Sequence, residues 1–235
     1  MTAYEEFERR LADRMAAVIR KVDKDRLLSE LLKAWESDGF DLPGLSKEEW
    51  FHREVAWHFW EISRSFETLK HTPVYLRFFP KYKTWATHGI TPRRHLRYHI
   101  EHYLEETYIL QLRVKTFLDW LAEQFRVAGL RDDSNRVETI KRKFVGFMKQ
   151  HARTRGMHVH RKRYSDQGLW WMDAVETAGR DDPDLVAIAD EMCELYRGWW
   201  RQDMQEKNEV LGSQLDVVFS QVGPIVFADW GQVEA

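Results

Sequence analysis

The residues of this chain best suited to chemistry lie in one run, Gln150-His151-Ala152-Arg153-Thr154-Arg155-Gly156-Met157-His158-Val159-His160-Arg161-Lys162-Arg163. Three histidines and five Lys/Arg share these fourteen residues. An imidazole titrates near pH ~6.5, so it can take or give a proton at neutrality. A guanidinium grips two phosphate oxygens at once. Cutting an RNA strand without a metal needs both: a base for the ribose 2′-hydroxyl and a fixed cation for the charge that builds on the phosphate. Arg155 and His160 supply one of each. Five positions on an ideal helix turn through about 140°, so the pair needs a change of backbone direction, which Gly156 permits, or a second copy of the chain alongside. His158 and Arg161 stand beside the pair as support. Arg153, Lys162 and Arg163 suit the phosphate backbone, and Arg153 with His158 offers a second register.

The surrounding charge fits a polyanion. From Arg131 to Arg163 there are eleven Lys/Arg against three Asp/Glu, a local net of +8 in a chain whose total is −2. Such asymmetry reads as a patch facing nucleic acid or an acidic partner. A solvated basic helix face produces the same count with no partner at all.

A second constellation lies upstream. His95, His99, His102 and Glu106 recur at helical spacing and share one face. Two histidines four apart can hold one metal ion. A straight helix rises about 10 Å over seven residues, so one ion cannot take all three. His95/His99 or His99/His102, joined by ligands such as His58 or His88, is the feasible set for a metal-dependent enzyme. A polar flank of a core stripe is the plainer reading.

These residues need elements to position them, and the elements read as helices. Tyr4, Phe7, Leu11, Met15, Val18 and Val22 step by three and four, which predicts a helix from Ala3 to Val22. A second helix, capped by Asp23 or Asp25, is expected to reach about Ser37. Ser46 with Glu49 forms a capping-box pattern, opening a helix whose Trp50, Val55, Trp57, Phe59, Trp60, Ile62 and Phe66 suggest deep packing. From His71 to Thr91, Pro73, Pro80 and Gly89 argue against a regular helix. Thr91-Pro92 starts a long helix that stops at Gly129. Another is expected from Ser134 or Asn135 to about Arg153, a shorter one between Gly168 and Gly179, and a last one from Asp182-Pro183 to about Val222, ending at Gly223-Pro224. The 11 tryptophans read as core and interface mass rather than a cofactor box.

The expected architecture is therefore all-α, an irregular up-and-down helical bundle. Its 235 residues read as one domain over 1–235, with an N-terminal helical portion and aromatic-rich loop over 1–90 and a helical core over 91–223. One cysteine, Cys193, excludes an internal disulfide and cysteine-based zinc clusters. No run approaches the ~20 apolar residues that span a bilayer, and Glu5 and Glu6 stand where a signal peptide carries positive charge. A cytoplasmic protein with no membrane association and no cofactor is expected.

The all-α class together with Arg155-Gly156-Met157-His158-Val159-His160 resembles the HEPN superfamily, small helical proteins of which many are ribonucleases with an R-x4–6-H motif. The helix segment Glu105-Glu106-Thr107-Tyr108-Ile109-Leu110-Gln111-Leu112-Arg113 is similar to the long helix that precedes the motif helix in some members. The resemblance covers roughly residues 92–220. A departure is Gly156, where active members often carry a polar residue. The resemblance implies a homodimer whose two motifs meet in a cleft and cut RNA without a metal, with Arg155 and His160 catalytic. It also implies a place in phage defence or a toxin–antitoxin system, with an antitoxin or other protein as partner. Some members only bind RNA, so a non-catalytic RNA- or protein-binding module is the alternative.

Overall fold

The computed structural model describes residues 1–21, 44–77, 79, 87–156, 167–179 and 182–228. They form six helices in chain order: α1 (Ala3–Lys21), α2 (Lys47–Tyr75), α3 (Pro92–Val127), α4 (Arg131–Gly156), α5 (Gln167–Ala178) and α6 (Pro183–Val226). The fold class is all-α, with no strand among the described residues. None of these helices is long and apolar enough to cross a membrane. The helix expected between Asp23 and Ser37 lies outside the described residues.

The chain gathers into two compact units. The first takes residues 1–62, 116–140 and 215–235, and the second takes 63–115 and 141–214. Segments of α2, α3, α4 and α6 therefore occur in both.

Local chemistry explains where most helices begin and stop. Thr2 and Ser46 each head a helix with a hydroxyl that accepts from the backbone N–H three residues on, at 3.2 Å in both cases. Glu5 and Glu49 return the contact to the Thr2 and Ser46 N–H groups at 2.8 and 2.9 Å. These reciprocal pairs satisfy donors that a helix start leaves unpaired. Thr91 caps α3 through its hydroxyl, and Asp182 caps α6 by accepting from the Asp184 and Leu185 N–H groups. The end of α3 is a Schellman turn. Leu130 N–H reaches back to the Phe125 carbonyl at 2.8 Å and Gly129 N–H to Arg126 at 3.2 Å. Gly129 sits at φ 79°, a left-handed conformation that costs glycine little.

In the first unit, apolar residues of α1 face a cluster of rings. Phe7, Phe59, Phe117 and Phe219 are all buried. Phe7 meets Phe219 at 4.7 Å, Phe227 at 5.0 Å and Phe59 at 5.4 Å between centroids, within the range where offset and edge contacts are favourable. A Cβ at Gly223 would meet Phe7 at 3.6 Å, so α6 passes close to this ring. Asp216 accepts from the Tyr4 N–H at 2.9 Å, which satisfies another donor at the start of α1.

In the second unit, the α3 stripe of Leu96, Ile100, Tyr103, Leu110 and Val114 is buried with Met148, Leu169, Met172, Cys193, Trp200 and Met204. Burial pushes the Cys193 thiol up to about 11. Polar groups are built into this core. The Tyr103 hydroxyl donates to Asn208 Oδ1 at 3.0 Å, and Asn208 Nδ2 donates to the Leu69 carbonyl at 2.8 Å. Ser65, fully buried, donates to Glu106 at 2.6 Å, and Arg113 donates to Ser65.

Four expectations from sequence need correction. α2 continues through Pro73 to Tyr75 rather than failing at His71. Proline lacks the N–H that would bond the carbonyl four residues back. That carbonyl belongs to Leu69 and is served by Asn208 instead. α6 likewise runs through Gly223-Pro224 to Val226, although Pro224 lacks the N–H that would bond the Ser220 carbonyl. α4 begins at Arg131, not at Ser134. The Ser134 side chain donates to the Ala122 carbonyl at 2.9 Å and does not act as the cap. Finally, most described tryptophans are not core. Trp50, Trp57, Trp60, Trp170, Trp171 and Trp199 are 41–60 % exposed, and Trp200 alone among the described tryptophans is buried. On α2 the buried stripe is Val55, Phe59, Ile62 and Phe66, and the tryptophans fall off it.

Candidate functional site

The residues singled out for RNA chemistry divide at the end of α4. The backbones of Arg153 and Arg155 belong to its last two turns, and their side chains lie outside what is described. His158, His160, Arg161, Lys162 and Arg163 lie outside the described residues.

The upstream histidines are described in full and belong to the second unit, as does the α4 segment from Lys141 on. His95 and His99 meet directly, Nε2 to Nε2 at 3.1 Å. One ring must therefore donate and the other accept, and a second proton would place two cations side by side. His99 stacks on Tyr75 at 5.6 Å and meets the edge of Tyr98 at 5.2 Å, and Phe79 stands edge-on to His95 at 5.4 Å. Burial and then the neighbouring His95 and His102 lower His99 to about 4. Burial and then Arg197 lower His95. Both rings are thus held neutral near pH 7. His99 Nδ1 is buried without a hydrogen-bond partner among the described residues.

This arrangement bears on the metal-dependent alternative. His95 and His99 converge, but His102 turns away and stacks on Tyr98 at 6.0 Å. Glu106 is engaged by Ser65 and Arg113. His58 packs against Trp120 and Phe117 in the first unit. No group of three or more His, Cys, Asp or Glu able to hold a metal ion occurs among the described residues. The structure thus brings together two of the candidate ligands, fewer than the three or four protein ligands of a zinc site.

Two features were not singled out in the sequence. The first turns of α3 present Arg93, Arg94 and Arg97 to a cavity of about 510 Å³ that Asp173 and Thr177 of α5 also line. The signal was the run Pro92-Arg93-Arg94-His95-Leu96-Arg97. Three arginines in five residues have the composition of a solvated helix face, and only the packing of α5 gives them a cavity. The second feature is an open apolar groove on α5 and α6 lined by Gly168, Met192, Leu195, Tyr196 and Trp199. Tyr196 and Trp199 stack at 5.8 Å. A Cβ at Gly168 would lie 2.6 Å from the Tyr196 ring, so a larger residue there must displace that ring.

No family model, no curated protein and no solved structure matches this chain.

Proposed function

We propose that the chain is an RNA-binding protein that cleaves its substrate without a metal, with Arg155 holding the phosphate and His160 moving the proton. The observation that carries this reading is the Arg155–His160 pair inside a segment of net charge +8. The all-α fold supports it, because it agrees with the HEPN resemblance. The Lys/Arg residues of the α4 sequence add support, since they raise the positive charge next to the motif.

In this reading His160 takes the 2′-hydroxyl proton while Arg155 stabilises the charge that develops on the phosphate as the 2′-oxygen attacks phosphorus. The P–O5′ bond breaks, the 5′-oxygen leaves with a proton returned by a protonated histidine, and a 2′,3′-cyclic phosphate and a 5′-hydroxyl result. His158 and Arg161 orient the pair. Arg153, Lys162 and Arg163 draw in the backbone, so binding weakens steeply as salt rises. A homodimer would bring two such motifs to one strand. The resemblance places the activity in phage defence or in a toxin–antitoxin pair, where a partner protein restrains it.

The test is incubation of the purified full chain with structured and unstructured RNA in EDTA, beside His160→Ala and Arg155→Ala. The expected result is cleavage by the wild type and a loss of roughly a hundredfold or more in each variant. Equal residual cleavage by all three removes the reading. Salt-sensitive binding with no cleavage by any of them replaces it with a non-catalytic RNA-binding module.

A further inference from the structure

We infer that the face of α6 around Gly198 docks on the face of α4 around Gly146 in a second copy of the chain, each copy giving one face and receiving the other. The inference stands on packing and charge and does not depend on the cleavage reading. Both faces belong to the second unit.

The two glycines carry the packing argument. Glycine is, after proline, the poorest helix former, so one in mid-helix calls for a reason such as the close approach of another group. Gly168, Gly212 and Gly223 have that reason, since each lies against a ring of another helix: Tyr196, Phe66 and Phe7. Gly146 and Gly198 differ. Both lie well inside their helices and both are exposed. No atom of the described residues stands within 4 Å of where their Cβ atoms would be. Among the described residues nothing uses the room that these two glycines leave.

Their surroundings are opposite in sign. About one turn from Gly146 stand Arg142, Lys143 and Lys149, all exposed. Between Glu138 and Gly156 the sequence holds six Lys/Arg and no Asp or Glu. Gly198 has Glu194 one turn before it and Glu191 two turns before it, both exposed, and residues seven apart share a helix face. From Tyr164 to Arg201 nine Asp/Glu stand against three Arg, a net of −6. Part of that charge is engaged within the chain, because Glu194 pairs with Arg197 and Asp190 faces Arg93. The α6 face is also apolar: Leu195 is 70 % and Trp199 55 % exposed.

A basic helix suits such a face. Lysine and arginine stems lie on apolar side chains while their heads reach carboxylates, and a cation over an indole ring adds attraction. The α4 face of a second copy has this chemistry and no acid beside it. Each copy carries both faces, so a two-fold axis satisfies them together and closes the assembly at two. Pairing covers cations of α4, so a second copy and a polyanion compete for them.

Sedimentation velocity of the full chain at rising concentration, in low and in high salt, tests the inference. The expected result is a reversible dimer at low salt that high salt dissociates. The double variants Glu191→Lys, Glu194→Lys and Lys143→Glu, Lys149→Glu each weaken the dimer roughly tenfold or more. Mixed in equal amounts they pair again, because each reversed face then meets its opposite, and that rescue excludes misfolding as the cause. Gly146→Leu puts a side chain into open space, so it keeps the wild-type unfolding midpoint or raises it while weakening the dimer roughly tenfold or more. Three results each overturn the inference: a chain that stays monomeric in low salt up to its solubility limit, charge variants that fail to pair when mixed, or a Gly146→Leu chain that dimerises like the wild type.

Discussion

The first unit closes on rings and the second on relays. Around Phe7 the first unit sets Phe59, Phe219 and Phe227 within 5.4 Å, centroid to centroid. Its interior depends mainly on volume and shape, although it too buries a Ser134 hydroxyl on the Ala122 carbonyl. The second unit threads Tyr103, Asn208 and the Leu69 carbonyl through its core, and sets Ser65, Glu106 and Arg113 beside them. Such contacts fail abruptly when one member is lost, because the remainder are left buried without partners. The difference teaches where chemistry can be housed. The paired histidines and the arginine-lined cavity both lie in the unit that already tolerates buried polarity.

Breaking the first unit should cost most. Phe219→Ala removes a ring that contacts Phe7, Phe59, Phe117 and Tyr4. It should lower unfolding stability by about 3–5 kcal/mol, read from the midpoint of denaturant unfolding. A loss below about 1 kcal/mol would mean the cluster is not packed as described.

The second unit should answer to direction rather than volume. Asn208→Ala strands the Leu69 carbonyl and leaves the Tyr103 hydroxyl only its 3.4 Å contact to the Met204 carbonyl, with an expected loss of about 2 kcal/mol. Pro73→Ala restores an N–H that can reach Leu69 by itself, so in the Asn208→Ala background it should recover about 1 kcal/mol. A double-mutant cycle with no coupling between positions 73 and 208 would show that asparagine does not repair the proline gap.

A further expected effect is a pH dependence. His99 sits at about 4 when folded, against ~6.5 for an unperturbed histidine. Between these values the unfolded chain binds the extra proton. The contribution of His99 is therefore complete above pH ~6.5 and is lost as pH falls toward 4, on the order of 1–2 kcal/mol for a partly exposed ring. His52 and His58 of the first unit are also lowered by burial, so both units weaken in acid. His99→Gln should reduce the slope of melting temperature against pH in this window. An unchanged slope would place the acid sensitivity elsewhere.

Much of the fold was legible because helix ends are written locally. Ser46 with Glu49, Thr91 with Pro92, Gly129, and Asp182 with Pro183 all sit where sequence placed a boundary, and the Phe7, Leu11, Met15 and Val18 stripe is buried. The failures were tertiary. Nothing near Pro73 reveals that Asn208, 139 residues from Leu69, supplies the missing donor. Nothing near Ser134 reveals the Ala122 carbonyl that draws its hydroxyl away from capping. The tryptophans misled because their size suggests burial, whereas the register of α2 puts Trp57 and Trp60 outside. Of the candidate site, the His95–His99 contact follows from helical spacing. The cavity does not, because Arg93, Arg94 and Arg97 acquire Asp173 and Thr177 only when α5 packs onto α3.

The single cysteine gives the second unit a chemical clock of its own. Cys193 is 2 % exposed and its thiol is pushed up to about 11, so in the native state it is both shielded and protonated. A thiolate is the species that alkylating reagents attack. Modification must therefore wait for α6 to lift locally, and its rate reports how often that happens. The first unit contains no thiol, so such labelling measures the opening of one unit in the presence of the other without introducing any probe.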